Sequence, residues 1–230
     1  MADRPRVFIE DHFPTAELGI ESVRERAAAS ALPPIYFLHV WWARRPLVAS
    51  AGAILGSLLP VWSPELAGSF SQRPELATAD AYRTWFLRLC GILGDPVLGR
   101  KLIDEANATG RKLKGNGYGY KQAYKNSPPP EQVELLHEVL EHTWGCVPSV
   151  SDPTAGGGSI PYEALRYGLP TPANDLNPVA ASVLRAGVEL PARFGTDLVD
   201  DLQHWGGILT GRLKNRLESS FKRDDPDESV

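Results

Sequence analysis

The run Asp152-Pro153-Thr154-Ala155-Gly156-Gly157-Gly158-Ser159 has the clearest capacity for chemistry in this 230-residue chain. Three consecutive glycines open backbone angles closed to other residues and let a ligand approach without meeting a Cβ. A helix expected near Ile160 to Tyr167 would offer unpaired N–H groups at its start. Charge then selects among ligands. No lysine follows the glycines, as the G-x-x-x-x-G-K-[ST] loop of a nucleoside-triphosphate site requires. A pyrophosphate on a G-x-G-x-x-G loop would be repelled by the Asp152 carboxylate. S-adenosylmethionine reverses that sign, because its ammonium and sulfonium are positive and Asp152 attracts them. Asp175, about twenty residues on, suits the acceptor of two ribose hydroxyls. Asn177 reads either as a polar contact near adenine or as a simple N-cap before Pro178.

These residues need elements to hold them. Val147-Pro148-Ser149-Val150-Ser151 reads as a short strand ending at Asp152, and a second short strand runs through Ala173. With the helix between them and another opened by Asn177-Pro178, the β-α-β-α alternation predicts parallel strands, the start of an open doubly wound α/β sheet. Upstream, a helix is expected from Thr15 to about Ala29. Pro33-Pro34 stops it before an expected strand at Ile35-Tyr36-Phe37-Leu38. The next helix starts at Pro46. Tyr82, Trp85, Phe86, Leu89 and Ile92 stand three and four apart and mark a buried helix over 80–94, and Glu131 to about Thr143 forms another. Val7 to Glu10 reads as extended. Leu198, Leu202, Trp205, Leu209, Leu213 and Leu217 mark a last helix, followed by an acidic tail that reads as disordered.

Composition removes several classes. Hydrophobic residues are 43% and charged residues 23%, ordinary globular values. With 24 Lys+Arg against 28 Asp+Glu, the net charge of -4 supplies no global field for nucleic acid, so any such contact is local. The two cysteines, Cys90 and Cys146, build neither a disulfide framework nor a four-cysteine zinc site. With no secretory leader at the start, a cytoplasmic location is the expectation. Residues 46–62 are uncharged and include Gly52-Ala53-Ile54-Leu55-Gly56, yet fall short of a membrane span and suit a close-packed core helix. His137 and His142 stand five apart, not on one helix face, so no metal site is expected.

One local basic stretch exists. Arg111, Lys112, Lys114, Lys121 and Lys125 alternate with Tyr118, Tyr120 and Tyr124 and with glycines, without an acid. Such interleaving can bind phosphate and stack bases, and a solvated insertion explains it equally.

Residues 152–180, from Asp152 through Asn177 to Ala180, resemble the cofactor-binding segment of a family of adenine-specific DNA methylases. His39-Val40-Trp41-Trp42-Ala43-Arg44-Arg45-Pro46-Leu47 is similar to the signature of that family's N-terminal domain, and Phe8-Ile9-Glu10 with Phe13-Pro14 resembles its opening. The resemblance implies an S-adenosylmethionine-dependent enzyme that flips an adenine in DNA and methylates its exocyclic amine, with a role in host modification or phage defence. It implies cofactor contacts from Asp152, Thr154, Ala155, Gly156, Gly157, Gly158 and Asp175, and beside them His39, Arg45 and Pro46. The competing reading makes Trp41 and Trp42 core aromatics and lets Arg44 and Arg45 snorkel at a helix start.

Two departures stand out. The family carries Phe where this chain has Thr154. The methyl-transfer tetrapeptide [DN]-P-P-[YF] is absent, the nearest string being Asn126-Ser127-Pro128-Pro129-Pro130. The expected fold is therefore α/β, an incomplete Rossmann-like methyltransferase sheet with a mainly helical N-terminal region, and no catalytic residue is assigned. Residues 1–62 form the signature region, 63–130 a helical region with the basic insertion, 131–220 the start of the cofactor domain and 221–230 the tail. The chain reads as the N-terminal part of such an enzyme, inactive alone. The alternative is a non-catalytic subunit that binds cofactor or DNA and completes an enzyme with a separately encoded C-terminal catalytic chain.

Overall fold

The structure, a computed structural model, describes residues 4–27, 32–113, 115–217 and 220. Its helices, in chain order, are α1 (Thr15–Ala27), α2 (Ile35–Leu38), α3 (Leu47–Leu58), α4 (Pro64–Ser69), α5 (Ala79–Leu89), α6 (Pro96–Thr109), α7 (Pro130–Trp144), α8 (Ser159–Arg166), α9 (Pro178–Leu184), α10 (Leu190–Phe194) and α11 (Asp197–Leu217). A π-helical turn, Arg185–Glu189, follows α9. The chain divides into two compact units, Met1–Val188 and Glu189–Val230. The acidic tail, Lys114 and the expected end of the first helix lie outside the described residues.

In the first unit α3 is the hub, packed against α1 and α8. Its uncharged sequence buries Leu47, Val48, Ala51, Ile54 and Leu55. The glycines four apart permit close approach: a Cβ at Gly52 would come 2.8 Å from Leu18 Cδ1, and one at Gly56 2.6 Å from Phe13 Cε2. That is core packing, and no helix among the described residues is long and apolar enough to cross a membrane. α5 adds Tyr82, Trp85, Phe86 and Leu89 to the same core, and α7 adds Leu135, Leu136, Val139 and Leu140. Tyr167 reaches in from beyond α8 and donates from its hydroxyl to the Leu89 carbonyl at 3.0 Å.

The buried face of α1 carries two carboxylates beside Leu18. Glu25 accepts the N–H groups of Leu47 at 2.9 Å and Val48 at 3.3 Å, satisfying free donors at the start of α3. Glu21 accepts from the Tyr120 hydroxyl at 2.8 Å and from the Ala123 N–H at 3.3 Å.

The expected α/β sheet is not present; the described residues form an all-helical fold. Pairing reduces to two isolated bridges, Val7 with Pro60 antiparallel and Asp152 with Ala173 parallel. Val150 and Asp152 donate to the Pro170 and Pro172 carbonyls at 2.9 and 3.1 Å, and Asn174 donates back to Asp152 at 2.9 Å. The two expected strands stop there because Pro148, Pro153, Pro170 and Pro172 have no N–H to extend a ladder. The expected strand Ile35 to Leu38 is instead α2. Proline opens it, and the Tyr36 and Phe37 N–H groups donate to the Pro33 and Pro34 carbonyls at 3.0 Å. Val7 to Glu10 is extended only at Val7, and Phe8–Glu10 turns as a 3-10 helix.

Candidate functional site

The glycine turn is held by two backbone hydrogen bonds and by the Asp175 carboxylate. The Ala155 N–H donates to the Asn174 carbonyl at 3.0 Å, and the Gly158 N–H closes onto Ala155 at 2.8 Å. Gly156 and Gly158 take φ of 52° and 83°, angles that favour glycine. Asp175 ties the turn to the segment after it. One oxygen accepts the Gly156 N–H and the other the Asn177 N–H, both at 2.8 Å. Those N–H groups, Asn177 first, hold its carboxyl below the usual carboxylate range, so it is ionised at neutral pH.

Asp152 sits at the end of the short parallel pairing and is buried. Its Oδ1 accepts the Thr154 N–H at 3.2 Å, while its Oδ2 accepts no hydrogen bond among the described residues. Over the turn lies Trp41. A Cβ at Gly156 would come 2.8 Å from Trp41 Nε1, and one at Gly157 2.9 Å from Trp41 Cβ. The glycines thus admit an indole from the signature segment, a reason for them that sequence reasoning missed. Gly158 faces the other way, toward Leu184 and Val188.

Trp41 stacks on Trp42 with ring centroids 4.2 Å apart; Trp41 is buried and Trp42 is 77% exposed. The His39 ring meets Trp41 edge-on at 5.9 Å. Tyr36 donates from its hydroxyl to the Arg45 carbonyl at 2.6 Å, and the Arg44 guanidinium lies 5.4 Å over the Tyr36 ring. These contacts shape a cleft of about 300 Å³. Tyr36, Trp41, Arg44 and Arg45 line one wall, and Asp152, Thr154, Ala155, Gly156 and Gly157 line the other.

Of the residues expected at a cofactor, the cleft therefore gathers Asp152, Thr154, Ala155, Gly156, Gly157 and Arg45. Asp175 acts on the turn through Gly156. Pro46 precedes α3 at its N-cap position. Asn177 caps α9, its Oδ1 accepting the Val179 N–H at 2.9 Å, which is the simpler of its two expected roles.

The basic stretch is partly committed elsewhere. The Arg24 guanidinium lies 4.2 Å from the Tyr118 ring centroid and 4.9 Å from that of Tyr120. Arg111, Lys112 and Lys121 are exposed. His137 Nε2 lies 2.7 Å from the Tyr167 carbonyl oxygen, and His142 packs edge-on against Phe70 at 5.3 Å.

A group the sequence reading passed over is Glu163 in α8, 1% exposed and paired with Arg166 at 2.8 Å. Burial pushes its carboxyl up to about 7 against the pull of the guanidinium. Its spacing of three from Arg166 was the available signal.

Residues 12–85 match a family described as a protein of unknown function, DUF1156. That span covers α1 to α4 and the signature segment, and ends before the glycine turn. No curated protein matches the chain, and no solved structure does.

Proposed function

We propose that this chain holds S-adenosylmethionine for an enzyme that methylates the exocyclic amine of adenine in DNA. The observation that carries the reading is the cleft in which the two methylase-like segments, far apart in sequence, meet around Asp152. Its carboxylate, mostly buried, leaves one oxygen open to the cleft and without a hydrogen-bond partner among the described residues, which suits a cationic ligand. Asp152 faces the ammonium and sulfonium, and Arg44 and Arg45 meet the methionine carboxylate. Asp175 keeps lone pairs for ribose hydroxyls beyond those spent on the turn. When bound, the cofactor supplies an activated methyl group. The chain's own part is to bind and orient; its 230 residues contain no [DN]-P-P-[YF], so the groups that position the amine come from another segment or a partner chain.

Calorimetry on the full chain tests this. S-adenosylmethionine or its demethylated product binds, and Asp152→Asn weakens binding about ten- to a hundred-fold, the worth of a charge-assisted hydrogen bond. Equal binding by both proteins, or none by wild type, overturns the reading. Radiolabelled cofactor with single- and double-stranded DNA separates the two roles. Label transfer by the chain alone gives it the catalytic groups as well, and transfer only with a partner makes it the cofactor-binding subunit.

A further inference from the structure

One wall of the cleft comes from residues 39–46, which lie between α2 and α3 and belong to no helix. Buried side chains anchor this segment at both ends. Beyond its last residue, Glu25 takes the N–H groups of Leu47 and Val48. Before its first, Tyr36 in α2 is 4% exposed and reaches both arginines of the wall. Its hydroxyl donates to the Arg45 carbonyl at 2.6 Å, and the Arg44 guanidinium lies 5.4 Å from its ring centroid.

The two cations are held but not paired. Among the described residues, neither the Arg44 nor the Arg45 side chain has a hydrogen bond or an ion pair, and both residues line the cleft. The Glu25 carboxylate spends its oxygens on the start of α3. A guanidinium over an aromatic face leaves its N–H donors free for a second group, and that planar fork matches a carboxylate. Burial first, and then the charge of Glu25, raises the Tyr36 hydroxyl above its ordinary range, so it stays a neutral donor to Arg45. With Asp152 on the opposite wall, the cleft sets cations against an anion, the pattern that the ammonium and carboxylate of an α-amino acid group complement.

We propose that Tyr36 is the positioning residue of this cationic wall, and through it selects a ligand that carries an amino-acid carboxylate over the bare nucleoside. Its hydroxyl fixes the backbone at Arg45, and its ring seats the Arg44 guanidinium. This role rests on the cofactor reading and adds to it the group that selects the methionine part. Every residue it involves lies within the unit Met1–Val188.

Calorimetry on the full chain compares two ligands that share an adenosine part. S-adenosylhomocysteine carries the amino-acid group, and 5′-methylthioadenosine lacks it. The readout is the ratio of the two affinities, from which any change in the folded fraction cancels. Tyr36→Phe removes only the hydroxyl and lowers the wild-type ratio about three- to tenfold, the range of a net hydrogen bond. Tyr36→Leu also removes the ring and lowers it further. In an Arg44→Gln/Arg45→Gln background the ratio is already low, and Tyr36→Phe leaves it unchanged, as a residue acting through the arginines requires. A Tyr36→Phe effect that persists without the arginines overturns the proposal. Binding of S-adenosylhomocysteine with a ratio that neither Tyr36 variant moves overturns the positioning role and leaves the cofactor reading standing. No binding of S-adenosylhomocysteine by wild type overturns both.

Discussion

Trp41 lies on the glycine turn so closely that a Cβ at Gly157 would stand 2.9 Å from its own Cβ. Gly157 lacks the positive φ of its two neighbours, so its need for glycine is one of space alone. Gly157→Ala should therefore destabilise the chain by about 1–3 kcal/mol, the usual cost of overpacking. Trp41→Gly, which removes that Cβ, should make the same substitution nearly free. Urea unfolding of the wild type, both singles and the double measures the coupling, and additive effects would show that Trp41 does not bear on Gly157.

Glu163 sets a pH dependence whose sign follows from its burial. Its carboxyl, with an ordinary value near 4.5 and pushed up to about 7 in the fold, stabilises the folded chain while protonated. That contribution is fully present below the ordinary value and is lost as pH rises through about 7. Stability should fall between pH ~5 and ~8, and Glu163→Gln should flatten that part of the profile. Carbon-13 NMR of labelled glutamate checks the site directly. A Glu163 midpoint near that of the exposed glutamates would refute the assignment.

The exposed cations Arg111, Lys112 and Lys121 make a local prediction about nucleic acid. If they touch phosphate, changing Lys112 and Lys121 to Gln lowers affinity for duplex DNA similarly for every sequence. It also reduces the salt slope by up to about two units, near 0.9 for each lost contact. An unchanged slope in fluorescence anisotropy would assign these side chains to solvent. The Arg24 guanidinium already lies over the rings of Tyr118 and Tyr120, so stacking of a base there competes with it.

The sequence alone determined the local elements wherever one face was apolar at helical spacing. α5, α7 and α11 follow from Tyr82 to Leu89, from the run after Pro130, and from Leu198 to Leu217. The Asn177-Pro178 pair marked the start of α9, since a cap acts within its own turn. Gly52 and Gly56 were legible as a close-packing pair, though not their partners, Leu18 and Phe13. Tertiary structure decided what local rules cannot reach. Apolar β-formers at Ile35 to Leu38 became a helical turn, because two prolines start one and the core accepts it. The β-α-β-α pattern ended in one parallel bridge, because pairing needs N–H groups that Pro148, Pro170 and Pro172 lack. Glu21 and Glu25 weakened the amphipathic signal of α1, yet both are buried, because segments distant in sequence bring hydrogen-bond donors to them, beside the Arg24 that pairs with Glu21 one turn on. The cleft itself is of that kind. Asp152 and the glycines are visible in the chain, but the wall of Trp41, Arg44 and Arg45 is brought to them only by folding.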